Sequence, residues 1–183
     1  MKTIKKNLIL DNGHYKIYNN IILTNSGKEK EHLCFGDIKN NKTKGVIVLP
    51  VKKEYVYIGK EYRYGIQKYI YNLPSGGLEK KYSELENALK ELNEETGLYS
   101  DKIKPLNIKS YESPSIRNNE LLKFIAYDVY EKKKYTKDDT ENFKDLEKFH
   151  IKDLFNKIIN GHIEINTTSI PLIFYYYNLI NRG

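Results

Sequence analysis

The stretch LPSGGLEKKYSELENALKELNEETGLYS, Leu73 to Ser100, sets three glutamates, Glu91, Glu94 and Glu95, close together on one segment soon after Gly76 and Gly77. Ser83 with Glu86 three residues later is a capping-box pattern, and Gly97 stands where a helix-ending glycine belongs. Leu85, Ala88, Leu89 and Leu92 recur at i, i+3, i+4 and i+7 and predict the buried stripe of a helix. At about 100° per residue, Glu84, Glu91 and Glu95 fall beside that stripe, with Glu94 a little further round. The acids flank the buried face on one side.

Neighbouring carboxylates repel, and a structural helix answers them with lysines one turn away. Lys90 is spaced to pair with Glu94, whereas Glu91 and Glu95, at i and i+4, oppose each other. A hard cation removes that conflict, because Mg2+ takes oxygen ligands and binds one or two carboxylates together with substrate phosphates. A Gly-Gly turn beside a helix N-terminus lets backbone groups come close to a ligand. Residue types alone leave a metal site and a solvated acidic face both open.

The 183 residues suit one domain, or a core domain with a small appendage, and are enough to bury a core. A hydrophobic fraction of 39% with 30% charged residues excludes a disordered chain. The net charge of +7 favours anionic partners, but the basic residues are scattered and interrupted by acids, as in EKKKY and KEKEH. That spread describes a solvated surface and argues against a nucleic-acid groove. Cys34 is the only cysteine, so no internal disulfide is available and a reducing, cytoplasmic location is expected. The apolar run in MKTIKKNLILDN is too short for a signal-peptide core, and no run approaches a membrane span.

Residues 1 to 42 alternate apolar and polar positions in short pieces, KNLIL, YKIYNNIIL and HLCFGDI, separated by turn signals at Asp11-Asn12-Gly13 and Asn25-Ser26-Gly27. They predict a small antiparallel β-subdomain. KGVIVLPV reads as a buried strand, and YVYIGKEYRY and YIYNLP as further strands, with Tyr55 and Tyr57 on one face and Tyr69 and Tyr71 on another. LLKFIAYDVY and LEKFHI are strands, KDLFNKIIN before Gly161 is a helix, and SIPLIFYYYNLI is a last helix with Pro171 in its first turn. Strands and helices mix without a strict βαβ period, which predicts an α/β fold with a mixed sheet and helices on both faces.

Gly76, Lys90-Glu91-Leu92, Glu94-Glu95, Gly97 and Leu98 resemble the Nudix box, G-x5-E-x7-R-E-U-x-E-E-x-G-U with U a bulky apolar residue. The agreement is densest in ELNEETGL. EYRYGIQKYIYNLPSGGLE is similar to the stretch before the box in ADP-ribose pyrophosphatases and related nucleoside-diphosphate-sugar hydrolases, and a weaker likeness runs from Asn7 to Asn178. Two box positions depart: the first glutamate falls on Tyr82 and the arginine on Lys90. In the family these two pair with each other, so their joint replacement leaves no orphan charge. Asn72 stands where a glutamate is expected before LP.

The resemblance implies a Nudix α/β/α sandwich over residues 43–183, with residues 1–42 as an N-terminal subdomain that contacts the partner in a homodimer. It implies Mg2+, with Mn2+ as a substitute, held by Glu91 and Glu95, with Glu94 as a further ligand or catalytic acid and the Ser75 carbonyl as a backbone ligand. Arg63 matches an arginine on the substrate diphosphate, beside Gly76 and Gly77. Asp139 and Glu141 in KDDTENF match an acidic loop that carries the catalytic base. SPSIRNNE resembles a substrate loop ending in an acid, although Ser115 replaces a glycine and Glu120 falls one residue late. His32 and Cys34 share a strand but lack a second pair at zinc spacing, so they, like the isolated His14, His150 and His162, read as packing residues. The implied reaction is cleavage of ADP-ribose or a related sugar nucleotide. The rivals are a GDP-sugar or dinucleotide hydrolase, a non-catalytic nucleotide-binding module and an RNA-cap enzyme.

Overall fold

The computed structural model describes residues 1–13, 16–36, 44–117, 119–132 and 143–182. They form two compact units, each built from two separate stretches of chain.

The first unit comprises Met1–Lys44 and Lys109–Leu121. The short alternating runs become β1 (Lys2–Asp11), β2 (Lys16–Leu23) and β3 (Glu29–Phe35), an antiparallel sheet in chain order. Gly27, at φ 78°, supplies the left-handed residue that the β2–β3 turn requires. Tyr18 and Asn20 on β2 are buried, while β1 leaves Ile4, Leu8, Ile9 and Leu10 exposed. The segment 109–121 is tied to β3 by the Phe35 amide donating to the Ile116 carbonyl at 2.6 Å and by His32 Nε2 at 2.6 Å from the Ser115 carbonyl. Cys34 Sγ accepts from Asn20 Nδ2 at 3.1 Å, a packing role for this cysteine.

The second unit comprises Gly45–Ile108 and Leu122–Gly183. Its mixed sheet contains β4 (Lys44–Lys52), β5 (Tyr55–Arg63), β9 (Lys102–Leu106), β10 (Glu120–Tyr127) and β12 (Phe143–His150), in the order β12-β5-β4-β10-β9. β6 (Lys68–Asn72) adds to β5, and β7 (Ser75–Gly77) adds to β4. The short strands β8 (Leu98–Tyr99) and β11 (Tyr130–Glu131) pair separately. β4 is apolar almost throughout because it is buried almost throughout, with Val46, Ile47, Val48 and Leu49 fully covered. Tyrosines 62, 64 and 69 meet edge to face across the β5–β6 hairpin, which assigns the tyrosine-rich run to sheet packing.

Helix α1 (Glu84–Thr96) starts at the predicted capping box on Ser83 and Glu86 and stops at Gly97, which is left-handed at φ 73°. Ala88 and Leu92 enter a core with Val46, Val48, Leu98, Phe124, Ala126 and Val129. The predicted stripe is corrected at one end. Leu85 is exposed, and the buried set is Asn87, Ala88, Leu92, Asn93 and Thr96. Three of these five are polar and tolerate burial because their side chains bond backbone: Asn87 to the preceding loop, Asn93 to Leu98 and Thr96 to Leu92. Helices α2 (Ile151–Ile159) and α3 (Ile170–Asn181) pack on each other, with Phe155 stacked on Tyr177 at 3.9 Å between ring centroids. No helix among the described residues is long and apolar enough to cross a membrane.

Candidate active site

The site begins with β7. Its backbone is zipped onto β4, with Ser75 opposite Ile47, Gly76 opposite Val46 and Gly77 opposite Gly45. The Val48 amide also donates to the Pro74 carbonyl at 2.9 Å. A short segment that would otherwise be a loop is therefore fixed to the most buried strand of the sheet.

Helix α1 brings two glutamates down onto that segment. The Ser75 amide donates to Glu95 Oε2 at 3.0 Å. Glu91 lies so close to Gly76 that a β-carbon there would stand 2.6 Å from Glu91 Oε1 and nearer still to Oε2. Gly76 is thus a cradle that only glycine leaves open. Gly77 has open space where a β-carbon would stand, so its lack of a side chain is not demanded by a neighbour within reach.

Glu94 turns elsewhere. Lys90 Nζ donates to Glu94 Oε2 at 2.5 Å, lies 3.0 Å from Glu79 Oε1, and stands 3.8 Å from Glu91. Glu94 and Lys90, with Tyr82, Glu86, Leu89 and Tyr99, line a cleft of about 280 Å³. Burial opposes the Lys90 charge, but hydrogen bonds to Glu94 and Glu79, with Glu91 nearby, outweigh it and hold the ammonium well above the ordinary lysine range. Glu79 is held below the usual carboxylate range by Lys81 first and Lys90 second.

No orphan charge is left by the joint replacement: Lys90 keeps an acidic partner in Glu79, three residues before Tyr82, which takes the place of the missing glutamate. Tyr82 itself is exposed, under the Lys81 ammonium at 4.8 Å. Loop cohesion comes from a residue sequence reasoning missed, Asn87. Its side chain accepts from the Glu79 amide at 2.9 Å and donates toward the carbonyls of Glu79, Tyr82 and Ser83. The available signal was a fully buried-capable asparagine inside a helix, where its own propensity is poor.

Arg63 ends β5, with Nη1 at 2.9 Å from Glu61 Oε1 and a buried Nε that has no hydrogen-bond partner. Asn72, at the expected glutamate position, is fully buried; it donates to Glu61 Oε2 at 2.6 Å and accepts from Ser169 Oγ at 3.0 Å. Glu120 belongs to the first unit, buried at the start of β10 and bridged to Tyr111. Asp139, Glu141 and His14 lie outside the described residues.

Among the described residues no group of three or more His, Cys, Asp or Glu side chains is gathered at metal-binding range. The donors brought together are the carboxylates of Glu91 and Glu95 with the backbone of Ser75 and Gly76. The carboxylate oxygens are hard ligands, the Ser75 amide steers one of them, and the cradle at Gly76 keeps the Glu91 carboxylate against the backbone. This set fits a Mg2+-type ion, which needs one or two protein carboxylates and fills its remaining positions with water and phosphate oxygens.

The NUDIX domain model matches residues 39–167. Among solved structures, the crystal structure of an ADP compounds hydrolase superposes with a TM-score of 0.71 at 18% identity, over 85% of this chain and 82% of that one. At that identity the likeness establishes the fold. No curated protein matches the sequence. The family match spans most of the chain and contains the Gly76 cradle and both glutamates that meet it: the chain belongs to the Nudix family and is a hydrolase acting on pyrophosphate bonds.

Proposed function

We propose that this Nudix hydrolase cleaves the diphosphate linkage of ADP-ribose or a related nucleoside diphosphate sugar, releasing a nucleoside monophosphate and a sugar phosphate. From ADP-ribose the products are AMP and ribose 5-phosphate. The carrying observation is the Glu91 carboxylate seated on Gly76 while Glu95 takes the Ser75 amide. The fold shared with an ADP compounds hydrolase supports the adenine end of the substrate.

Glu91 and Glu95, with the Ser75 carbonyl, would hold Mg2+ or Mn2+. Bound there, the ion supplies phosphate charge neutralisation and acidifies a water. The chain's own residues do the rest. Arg63 binds the diphosphate through its guanidinium fork, beside the Gly76 backbone that seats Glu91 and the open backbone at Gly77. An acid of the 139–141 segment, Asp139 or Glu141, orients the attacking water and takes its proton. Glu94 acts by anchoring Lys90 and the loop. Residues 1–42 serve as the subdomain, which also takes in 109–121, and the rest of 43–183 serves as the catalytic domain. The apolar residues left exposed on β1, Ile4, Leu8 and Leu10, suit a homodimer contact in a cytoplasmic protein.

Product release from ADP-ribose, GDP-mannose, UDP-glucose, NADH and diadenosine polyphosphates, each with Mg2+ and with EDTA, tests this reading. Strong cleavage of ADP-ribose that EDTA abolishes is the expected result. Preference for a GDP-sugar or a dinucleotide moves the substrate, and tight binding with no cleavage of any compound by folded protein turns the reading into a nucleotide-binding module.

A further inference from the structure

Arg63 does not stand alone; its orientation is set by a buried amide. Ser169 Oγ accepts from the Leu73 amide at 3.1 Å and lies 3.0 Å from Asn72 Oδ1. The Glu61 carboxylate near the other end of the amide can only accept, so the amide nitrogen faces it and the Ser169 proton goes to Asn72. The atom facing Ser169 is therefore the amide oxygen. Asn72 Nδ2 must point the other way, at Glu61 Oε2 at 2.6 Å, with Ser75 Oγ at 3.4 Å.

Glu61 is thus gripped from both sides, one carboxylate oxygen by Asn72 and the other by Arg63 Nη1 at 2.9 Å. Both bonds are charge-assisted, the stronger class. They fix a flexible guanidinium at the end of a strand while its buried Nε is left without a partner. Ser75, reached by the same amide, donates through its backbone to Glu95, so Asn72 adjoins both the arginine and the carboxylate end of the site.

We propose that Asn72 is a positioning residue for substrate binding: through Glu61 it holds the partly exposed Arg63 guanidinium in place for the substrate diphosphate. The inference rests on the reading that Arg63 meets that diphosphate. It also accounts for the amide at position 72. A carboxylate there would face Glu61 across the 2.6 Å now spanned by an N–H, and the two acids would repel.

The test uses the full-length chain and ADP-ribose. Asn72→Asp, Glu61→Gln and the exchanged pair Glu61→Gln/Asn72→Asp are compared by steady-state kinetics in Mg2+ and by calorimetric ADP-ribose binding in EDTA. Each single variant should raise KM and weaken metal-free binding about tenfold while kcat stays within about threefold. The exchanged pair, which again sets one amide against one carboxylate, should return to within about threefold of the parent. A parent-like KM in Glu61→Gln, an isosteric change at a partly exposed position, overturns the inference even if Asn72→Asp proves poorly folded. So does an exchanged pair no better than the singles, or a loss confined to kcat. If the parent chain neither binds nor cleaves ADP-ribose, the proposed function fails and takes this inference with it; cleavage by the parent with unchanged KM in the variants removes the inference alone.

Discussion

Two sets of carboxylates share helix α1 and meet opposite fates. Glu91 and Glu95 come down on backbone, against Gly76 and the Ser75 amide. Glu94 and Glu86, on the neighbouring ridge, are answered by side chains: Glu94 by Lys90, and Glu86 by the Ser83 hydroxyl and amide. Lys90 reaches Glu91 only at 3.8 Å, beyond hydrogen-bond range. A glutamate already closed by an ammonium must surrender that pair before it can ligate an ion. A glutamate seated against backbone is steered by contacts that themselves carry no full charge. Within one motif, then, identical residues divide by the neighbour that seats them, backbone for Glu91 and Glu95 and an ammonium for Glu94.

The comparison breaks most sharply at Gly76. Gly76→Ala would drive a methyl into the Glu91 carboxylate. Because that carboxylate ends a flexible chain, the side chain moves aside and the fold survives. We expect turnover to fall at least about a hundredfold, roughly 2.7 kcal/mol in the barrier, with the melting temperature nearly unchanged. Gly59→Ala is the converse control, since its β-carbon would strike the buried ring of Phe143 and cost about 1–3 kcal/mol of stability. If Gly76→Ala keeps parental turnover, the backbone-seated pair is not the working one.

Next in size is the contrast between the two glutamates that adjoin in sequence. Glu95→Gln should lower Mg2+-dependent turnover at least about tenfold, on the order of 1.4 kcal/mol. Glu94→Gln should leave turnover within about threefold and instead lose the i,i+4 pair with Lys90, about 0.5 kcal/mol in denaturant unfolding. Equal kinetic damage from both would erase the distinction.

The smallest effect is in acid. Hydrogen bonds from Lys81 and then Lys90 hold Glu79 below its ordinary value of 4.5, and those from Ser83 do the same for Glu86. A lowered carboxyl contributes stability that is present above its unfolded pKa and is lost as pH falls through the folded one. Urea midpoints should therefore drop below about pH 4.5, and Lys90→Met should make that drop shallower. An unchanged slope in Lys90→Met would mean that Lys90 is a bystander to this ridge.

What could be seen in the sequence was whatever is encoded locally. The cap at Ser83 and Glu86, the stop at Gly97 and the spacing that puts Glu91 and Glu95 on one side of a helix all lie within a few residues of each other. What could not be seen depends on strands meeting across the chain. Glu61 reaches Asn72 because β5 and β6 pair in a register that sets Gly59 opposite Asn72, and no periodicity announces that register. The Glu79–Lys90 pair depends on the path of a loop that Asn87 ties from within the helix. Leu85 misled because helical spacing predicts which residues share a face, not where along the helix the sheet ceases to cover it.

The make-up of the first unit has a bearing on how the chain is made. Its three strands lie within the first 44 residues and leave the ribosome early, but the contacts at His32 and Phe35 need Ser115 and Ile116. The N-terminal sheet must wait, with that edge unmet, while β4 to β9 and the whole of α1 are synthesised. At about 5–20 residues per second that interval is of the order of several seconds. The order of synthesis thus leaves the β3 edge without its 109–121 partner until after helix α1 has been made.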